Sequence, residues 1–220
     1  MTTVTQQPIR GVLFDWDGTL LNSYRADSSA YLAMFRAMGI SWGLEELARH
    51  YSPNWYRVYR AAGLPRARWD EADRLWRAQY ANHRPRLLGG VRRVLSQLEQ
   101  RHQLGLVTSG DRNRVLRQLR DFSLTSFFAA RVCSGDTRHR KPHPAPLRLA
   151  LQQMKLEPAA CVYVGDSPED LEMARRAKVR AIAVLGPFPT EKRLRSAKPE
   201  ILLESIAELP AALRAISAAG

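Results

Sequence analysis

With 220 residues, 34 Lys and Arg against 21 Asp and Glu, and a formal net charge of +13, the chain can bury a core as one domain, or one domain with an insertion. No stretch approaches the roughly 18 apolar residues of a membrane span. Residues 1–8 lack a signal-peptide core, and two cysteines build no disulfide framework, so a cytoplasmic protein is expected. Arg supplies nearly all the excess charge, since only five residues are Lys. It is spread along the chain with no nucleic-acid module, which points to a solubilising surface rather than a nucleic-acid platform.

The first apolar run, residues 10–14, ends in Asp15 and Asp17, followed at once by Gly18 and Thr19. In an extended strand, positions i and i+2 point to one side. Both carboxylates can therefore reach one spot at a strand's carboxyl end, where open α/β sheets place ligands. Two adjacent anions repel unless a cation lies between them or one holds a proton. The pair suits a hard cation, a nucleophilic carboxylate and a proton-carrying partner. The bland alternative is a strand entering an Asp-Gly turn.

Residues 23–86 form a helix-like excursion that holds Trp42, Trp55, Trp69 and Trp76, with Tyr51, Tyr56, Tyr59 and Tyr80. Arg57, Arg60, Arg66 and Arg68 are interleaved. The stretch is too long for a loop and reads as an inserted helical cap domain. Most of its aromatics are expected to form its own small core, while a few arginines face the cleft and hold a substrate carboxylate or second phosphate.

Helical spacing resumes over 90–100 with Val91, Val94, Leu95 and Leu98. A strand over 104–108 leads to Thr108, Ser109 and Gly110, where a helix covering 112–120 is taken to begin and its free N–H groups attract phosphate. A short strand at 131–133 precedes a polar loop containing Lys141, and helical spacing returns from Leu147 to Met154. The strand 161–165, in which Cys161 reads as a small buried hydrophobe, delivers Asp166; Asp170 lies four residues on. Ser167 reads as an N-cap with Pro168 at N1 and Asp170 at N3. A strand at 181–185 follows. This alternation predicts an α/β fold, a Rossmann-like doubly wound parallel sheet with helices on both faces. Residues 1–22 and 87–220 form the core domain, and 23–86 the cap.

The four sites together resemble the motifs of the haloacid dehalogenase superfamily of phosphohydrolases, and within it the phosphoglycolate phosphatase group. Asp15-Trp16-Asp17-Gly18-Thr19 matches the first motif, Thr108-Ser109-Gly110 the second, Lys141 before Pro142 the third, and Gly165-Asp166-Ser167-Pro168-Glu169-Asp170 the fourth. The resemblance implies strand order 5-4-1-2-3 and an Mg²⁺ cofactor. It makes Asp15 the nucleophile that forms an aspartyl-phosphate, and Asp17 the general acid and base, which separates phosphatases from dehalogenases. Thr108, Ser109, Gly110 and Lys141 would hold the phosphoryl group, with Lys141 preferred over Arg138, His139 and Arg140 by its fit to the motif. Mg²⁺ would be held by Asp15, the backbone carbonyl of Asp17 and Asp166, with Asp170 acting through water or simply capping its helix.

Lys178 stands where the family often has Gly, so the turn there is expected to differ; Asn22 and Gly89 replace a frequent Asp and Pro. The expected function is an Mg²⁺-dependent phosphatase acting on a small phosphorylated metabolite resembling phosphoglycolate. A sugar-phosphate mutase resembling β-phosphoglucomutase, or a pyrophosphatase, is the alternative on the same core. The four-residue spacing of Asp166 and Asp170 favours the phosphatase over the mutase. A basic nucleic-acid-binding or regulatory protein with a vestigial site is the reading from another class; the intact acidic, hydroxyl and lysine positions oppose it.

Overall fold

A computed structural model describes residues 8–218. Strand β1 (Gly11–Phe14) is followed by the short β2 (Leu21–Asn22) and by helices α1 (Tyr24–Ala37), α2 (Leu44–His50), α3 (Trp55–Ala61) and α4 (Trp69–Tyr80). β3 (Arg86–Leu87) pairs antiparallel with β2 and closes the base of this excursion. The chain continues through α5 (Val91–Leu98), β4 (Gln103–Asp111), α6 (Arg112–Asp121), β5 (Phe128–Ser134), α7 (Ala145–Met154) and β6 (Cys161–Gly165). It ends with α8 (Pro168–Ala177), β7 (Arg180–Val184), α9 (Glu191–Ser196), β8 (Leu202–Leu203) and α10 (Leu209–Ala218). No helix of the described residues is long and apolar enough to cross a membrane.

The main sheet runs β5-β4-β1-β6-β7-β8 with every pairing parallel. Its first five strands stand in the order the resemblance implies, and β8 extends the edge. Successive strand side chains point to opposite faces. Val12 and Phe14 accordingly join one buried cluster with Val94 and Leu95 of α5 and Leu119 of α6. Leu13 joins the other, with Leu147 and Leu151 of α7 and Met173 of α8. Both faces of β1 are thus covered, as apolar central strands require.

Two differences bear on the site. β4 runs on through Ser109 and Gly110 to Asp111, and α6 starts at Arg112 with Asp111 as its N-cap, accepting from the Arg114 amide at 3.0 Å. The amides of Ser109 and Gly110 therefore belong to the strand end, not to a helix terminus. At Lys178 the turn keeps the left-handed geometry, φ 61°, without glycine; the lysine accepts a strain of about 1 kcal/mol.

Helices α1 to α4 have their own core, in which Met34, Phe35, Val58 and Tyr59 are buried. Trp42, Trp55, Trp69 and Trp76 pack against that core, as the aromatic spacing predicts. Cys133 and Cys161 are buried and unpaired.

Candidate active site

β1 ends at the floor of a cavity of about 220 Å³ between the sheet edge and the helical insert. The Asp15 amide donates to the Val164 carbonyl at 2.9 Å, fixing the chain where it leaves the sheet. Gly18 then turns with φ +88°, and a Cβ there would collide with the Asp166 carboxylate. Only glycine lets the first loop pass so close to the acidic cluster.

Lys141 lies behind Asp15, almost wholly buried. Its ammonium donates to Asp15 Oδ1 at 2.6 Å, Asp170 Oδ1 at 2.7 Å and Tyr163 Oη at 2.8 Å. The Tyr163 hydroxyl donates to the Val107 carbonyl at 2.9 Å. Asp15, Asp170 and Tyr163 together engage all three ammonium protons. Asp170 is equally committed. Its Oδ2 accepts from Ser167 Oγ at 2.6 Å and from the Ser167 amide at 3.2 Å, completing the expected capping box.

Carboxylate oxygens of Asp15, Asp166 and Asp170 lie within 4.8 Å of one another, all three residues being buried. Three carboxylates face one ammonium. Burial, opposed by Lys141 and reinforced by Asp170 and Asp17, raises the Asp15 carboxyl to about 7. Burial and the charges of Asp15 and Asp170 raise Asp166 well above the carboxylate range. Lys141 is held charged by Asp15 and Asp170 against the effect of its own burial. An all-oxygen, anion-rich donor set of this kind fits a hard divalent cation.

Asp17 differs. Arg114 of α6 donates from Nη2 to Asp17 Oδ2 at 2.6 Å and from Nη1 to Oδ1 at 3.0 Å. Burial would raise the Asp17 carboxyl, but the guanidinium charge and its hydrogen bonds outweigh that and hold it below the usual range. Thr108 is buried, and its Oγ1 accepts from the Gly110 amide at 2.9 Å. Ser109 Oγ is buried without a hydrogen-bond partner.

Of the eight positions taken from the sequence, Asp15, Asp17, Thr108, Ser109, Gly110 and Asp166 line the cavity. Lys141 and Asp170 stand directly behind it. The insert contributes Asp27, Tyr31, Trp55, Tyr59, Trp76 and Arg77 to the opposite wall. The insert arginine that reaches the cavity is Arg77, whereas the interleaved Arg57, Arg60, Arg66 and Arg68 do not line it. Arg68 pairs with Glu71 at 2.9 Å, Arg66 lies 6.0 Å from the Trp69 ring, Arg60 donates to the Tyr56 carbonyl at 3.2 Å, and Arg57 lies 4.0 Å from Glu169. Helical phase turns these residues outward and leaves Arg77 at the cavity. Arg114 and Asp27 are absent from the sequence reading, because Arg114 is one of several arginines along α6 and Asp27 stands alone in a polar helix turn.

Comparison with known proteins agrees with this geometry. A family model described as haloacid dehalogenase-like hydrolase matches residues 12–184. The chain is 25% identical over 205 residues to the pyrophosphatase PpaX of Oceanobacillus iheyensis, covering 91% of this chain and 95% of that one. It is 26% identical to the PpaX of Bacillus velezensis, covering 94% and 97%. Among solved structures, a predicted phosphoglycolate phosphatase from Haemophilus somnus superposes with a TM-score of 0.80 at 22% identity, covering 94% and 98%. CbbY from Rhodobacter sphaeroides, in complex with phosphate, gives 0.79 at 24% identity, covering 91% and 96%. The chain belongs to the haloacid dehalogenase-like hydrolases.

Proposed function

We propose that this enzyme is an Mg²⁺-dependent phosphatase that hydrolyses a small phosphorylated metabolite, of the phosphoglycolate kind, through an aspartyl-phosphate. One observation carries the reading: the Asp15 carboxylate lies at the cavity floor, held by Lys141 at 2.6 Å, with Asp17 two residues on beside the same space. Phosphoryl transfer needs an in-line nucleophile, charge neutralisation and a proton for the leaving oxygen.

In the first step an Asp15 oxygen forms a bond to phosphorus as the phosphorus–oxygen bond to the leaving group breaks. Asp17, ionised against Arg114 in the resting site, takes up a proton from solvent on the oxygen that Arg114 Nη1 releases and gives that proton to the departing oxygen. In the second step the Asp17 carboxylate takes a proton from water, and the water oxygen displaces Asp15 from phosphorus. Inorganic phosphate leaves, and both aspartates return to their starting forms. Thr108, Ser109, Gly110 and Lys141 would hold the transferring oxygens once the Gly110 amide turns from Thr108 Oγ1, and Lys141 also keeps Asp15 aligned. Asp15, Asp166 and the Asp17 carbonyl would hold Mg²⁺, with Asp170 supporting it from behind; the ion supplies positive charge against the phosphoryl oxygens.

Residues 23–86 act as the cap domain over a core of 1–22 and 87–220, excluding water and selecting the leaving group. The reading keeps the cytoplasmic placement expected from the sequence. The names of the PpaX relatives support pyrophosphate as a second candidate substrate. Turnover of phosphoglycolate, pyrophosphate, sugar phosphates and an aryl phosphate, each with and without Mg²⁺, tests the reading. Absence of Mg²⁺-dependent phosphate release from every one of them overturns it.

A further inference from the structure

Arg114 lies outside the four motifs, yet its guanidinium joins the core to the insert at the edge of the cavity. Besides its two bonds to Asp17, Nη1 lies 3.3 Å from both Tyr80 Oη and Gln118 Oε1. Gln118 Oε1 also accepts from the indole of Trp16 at 2.9 Å, the residue between the two aspartates. The guanidinium carbon stands 4.8 Å from the Tyr80 ring centre and 5.9 Å from that of Trp76, both on α4 of the insert. Space for the ion pair comes from Gly110, where a Cβ would lie 2.5 Å from Arg114 Nη2 and 3.2 Å from Asp17 Oδ2.

A buried, planar fork engaging both oxygens fixes a carboxylate in position and rotation, which a point-charged lysine does not. The pose also leaves Arg114 room to give. Its Nε is buried without a partner, and Nη1 is shared among three acceptors, so one Asp17 oxygen can be released to carry a proton while Tyr80 and Gln118 retain Nη1.

We propose that Arg114 is the positioning residue for Asp17, held in place by Tyr80 and Trp76, so that docking of the insert and proton delivery to the leaving oxygen are coupled. The proposal rests on the phosphatase reading and extends it to a class of substrate. Arg114 matters for esters of alcohols, whose alkoxide needs a proton as it leaves, and hardly for esters of acidic phenols. Its removal therefore has a signature that general loosening of the site lacks.

The experiment compares kcat and KM for p-nitrophenyl phosphate and an alkyl phosphate in the wild type, Arg114→Met, Arg114→Lys and Tyr80→Phe, with folding checked by circular dichroism. Arg114→Met is expected to lose about 10²-fold in kcat on the alkyl ester and under about tenfold on the aryl ester. Added guanidinium should recover part of the alkyl activity, and Arg114→Lys should not restore it. Tyr80→Phe, which keeps the ring, should show a smaller loss biased the same way and serves if Arg114→Met does not fold. Equal losses on both esters, or a rise in KM at unchanged kcat, overturn the proposal and leave the phosphatase reading standing. A wild type that turns over neither ester overturns that reading itself.

Discussion

The Lys141 ammonium lies 2.6 Å from Asp15 Oδ1 and is nearly inaccessible to solvent, so the nucleophile's orientation depends on a buried ion pair. A second carboxylate, Asp170, shares the same ammonium at 2.7 Å. Removing one partner from such a buried pair costs about 3–5 kcal/mol, because the remaining charge is left without compensation. Lys141→Met should therefore lower the melting temperature by roughly 10 °C in a chain of this size and abolish turnover. A variant that melted like the wild type would show that Lys141 does not hold the pair together.

Carboxylate crowding around Asp15, Asp166 and Asp170 predicts that metal and stability are linked. A cation bound to the folded state alone stabilises it by mass action. Mg²⁺ should raise the melting temperature of the wild type, and chelation should lower it and stop turnover. Burial and the charges of Asp15 and Asp170 push Asp166 upward, so its neutral isostere relieves repulsion. Asp166→Asn should melt higher than the wild type in chelator and gain nothing from added Mg²⁺. Thermal melts across a magnesium titration check both arms.

Asp27 carries a pH dependence of its own. Burial, then the neighbouring Asp17 charge, raise its carboxyl to about 8, with Arg114 opposing. Between the ordinary carboxylate range and that value, the folded state holds a proton that the unfolded state has lost. Stability attributable to Asp27 is therefore fully present below about pH 4 and is lost as pH rises through about 8, at a limiting slope of about 1.4 kcal/mol per pH unit. Asp27→Asn removes this slope, so the melting-temperature advantage of the variant over the wild type should grow from pH 5 to pH 8. A constant difference across that range would show that Asp27 is already ionised in the folded protein.

Much of this architecture is legible in the sequence, because the signals are local. Residues 10–14 and 161–165 are short apolar runs ended by carboxylates, and the alternation of strand and helix spacing dictates a covered parallel sheet. Ser167 and Asp170 announce their capping box by spacing alone. What the sequence hides is long-range. Arg114 meets Asp17 across 97 positions, and no periodicity marks it among the other arginines of α6. Which of the insert's arginines face the cleft depends on the phase of its helices: Arg77 lines the cavity, while Arg57, Arg60, Arg66 and Arg68 meet Glu169, the Tyr56 carbonyl, the Trp69 ring and Glu71. At Lys178 the tertiary position of β7 after α8 outweighs a local preference, and the chain keeps the left-handed turn without glycine.

The seam between insert and core can be loosened without touching the acidic cluster. Ser52 Oγ donates to Glu169 Oε1 at 3.0 Å, and Arg193 Nη2 donates to the same oxygen at 2.9 Å. Arg193 Nη1 reaches the Tyr51 carbonyl at 2.8 Å, while the Tyr51 ring stacks on Phe188 with centroids 4.8 Å apart. These contacts dock the insert against α8, α9 and the turn between β7 and α9. Ser52→Ala removes the seam hydrogen bond, worth about 1 kcal/mol, and a second one within the insert, from the Asn54 amide at 3.2 Å, and leaves the partly exposed Arg193–Glu169 pair in place. If the bond forms only in the docked insert, the loss falls on the docked state, and KM should rise about fivefold at unchanged kcat. Faster proteolytic cleavage within residues 23–86 should accompany the rise. An unchanged KM with a reduced kcat would place Ser52 in the chemistry instead of the seam.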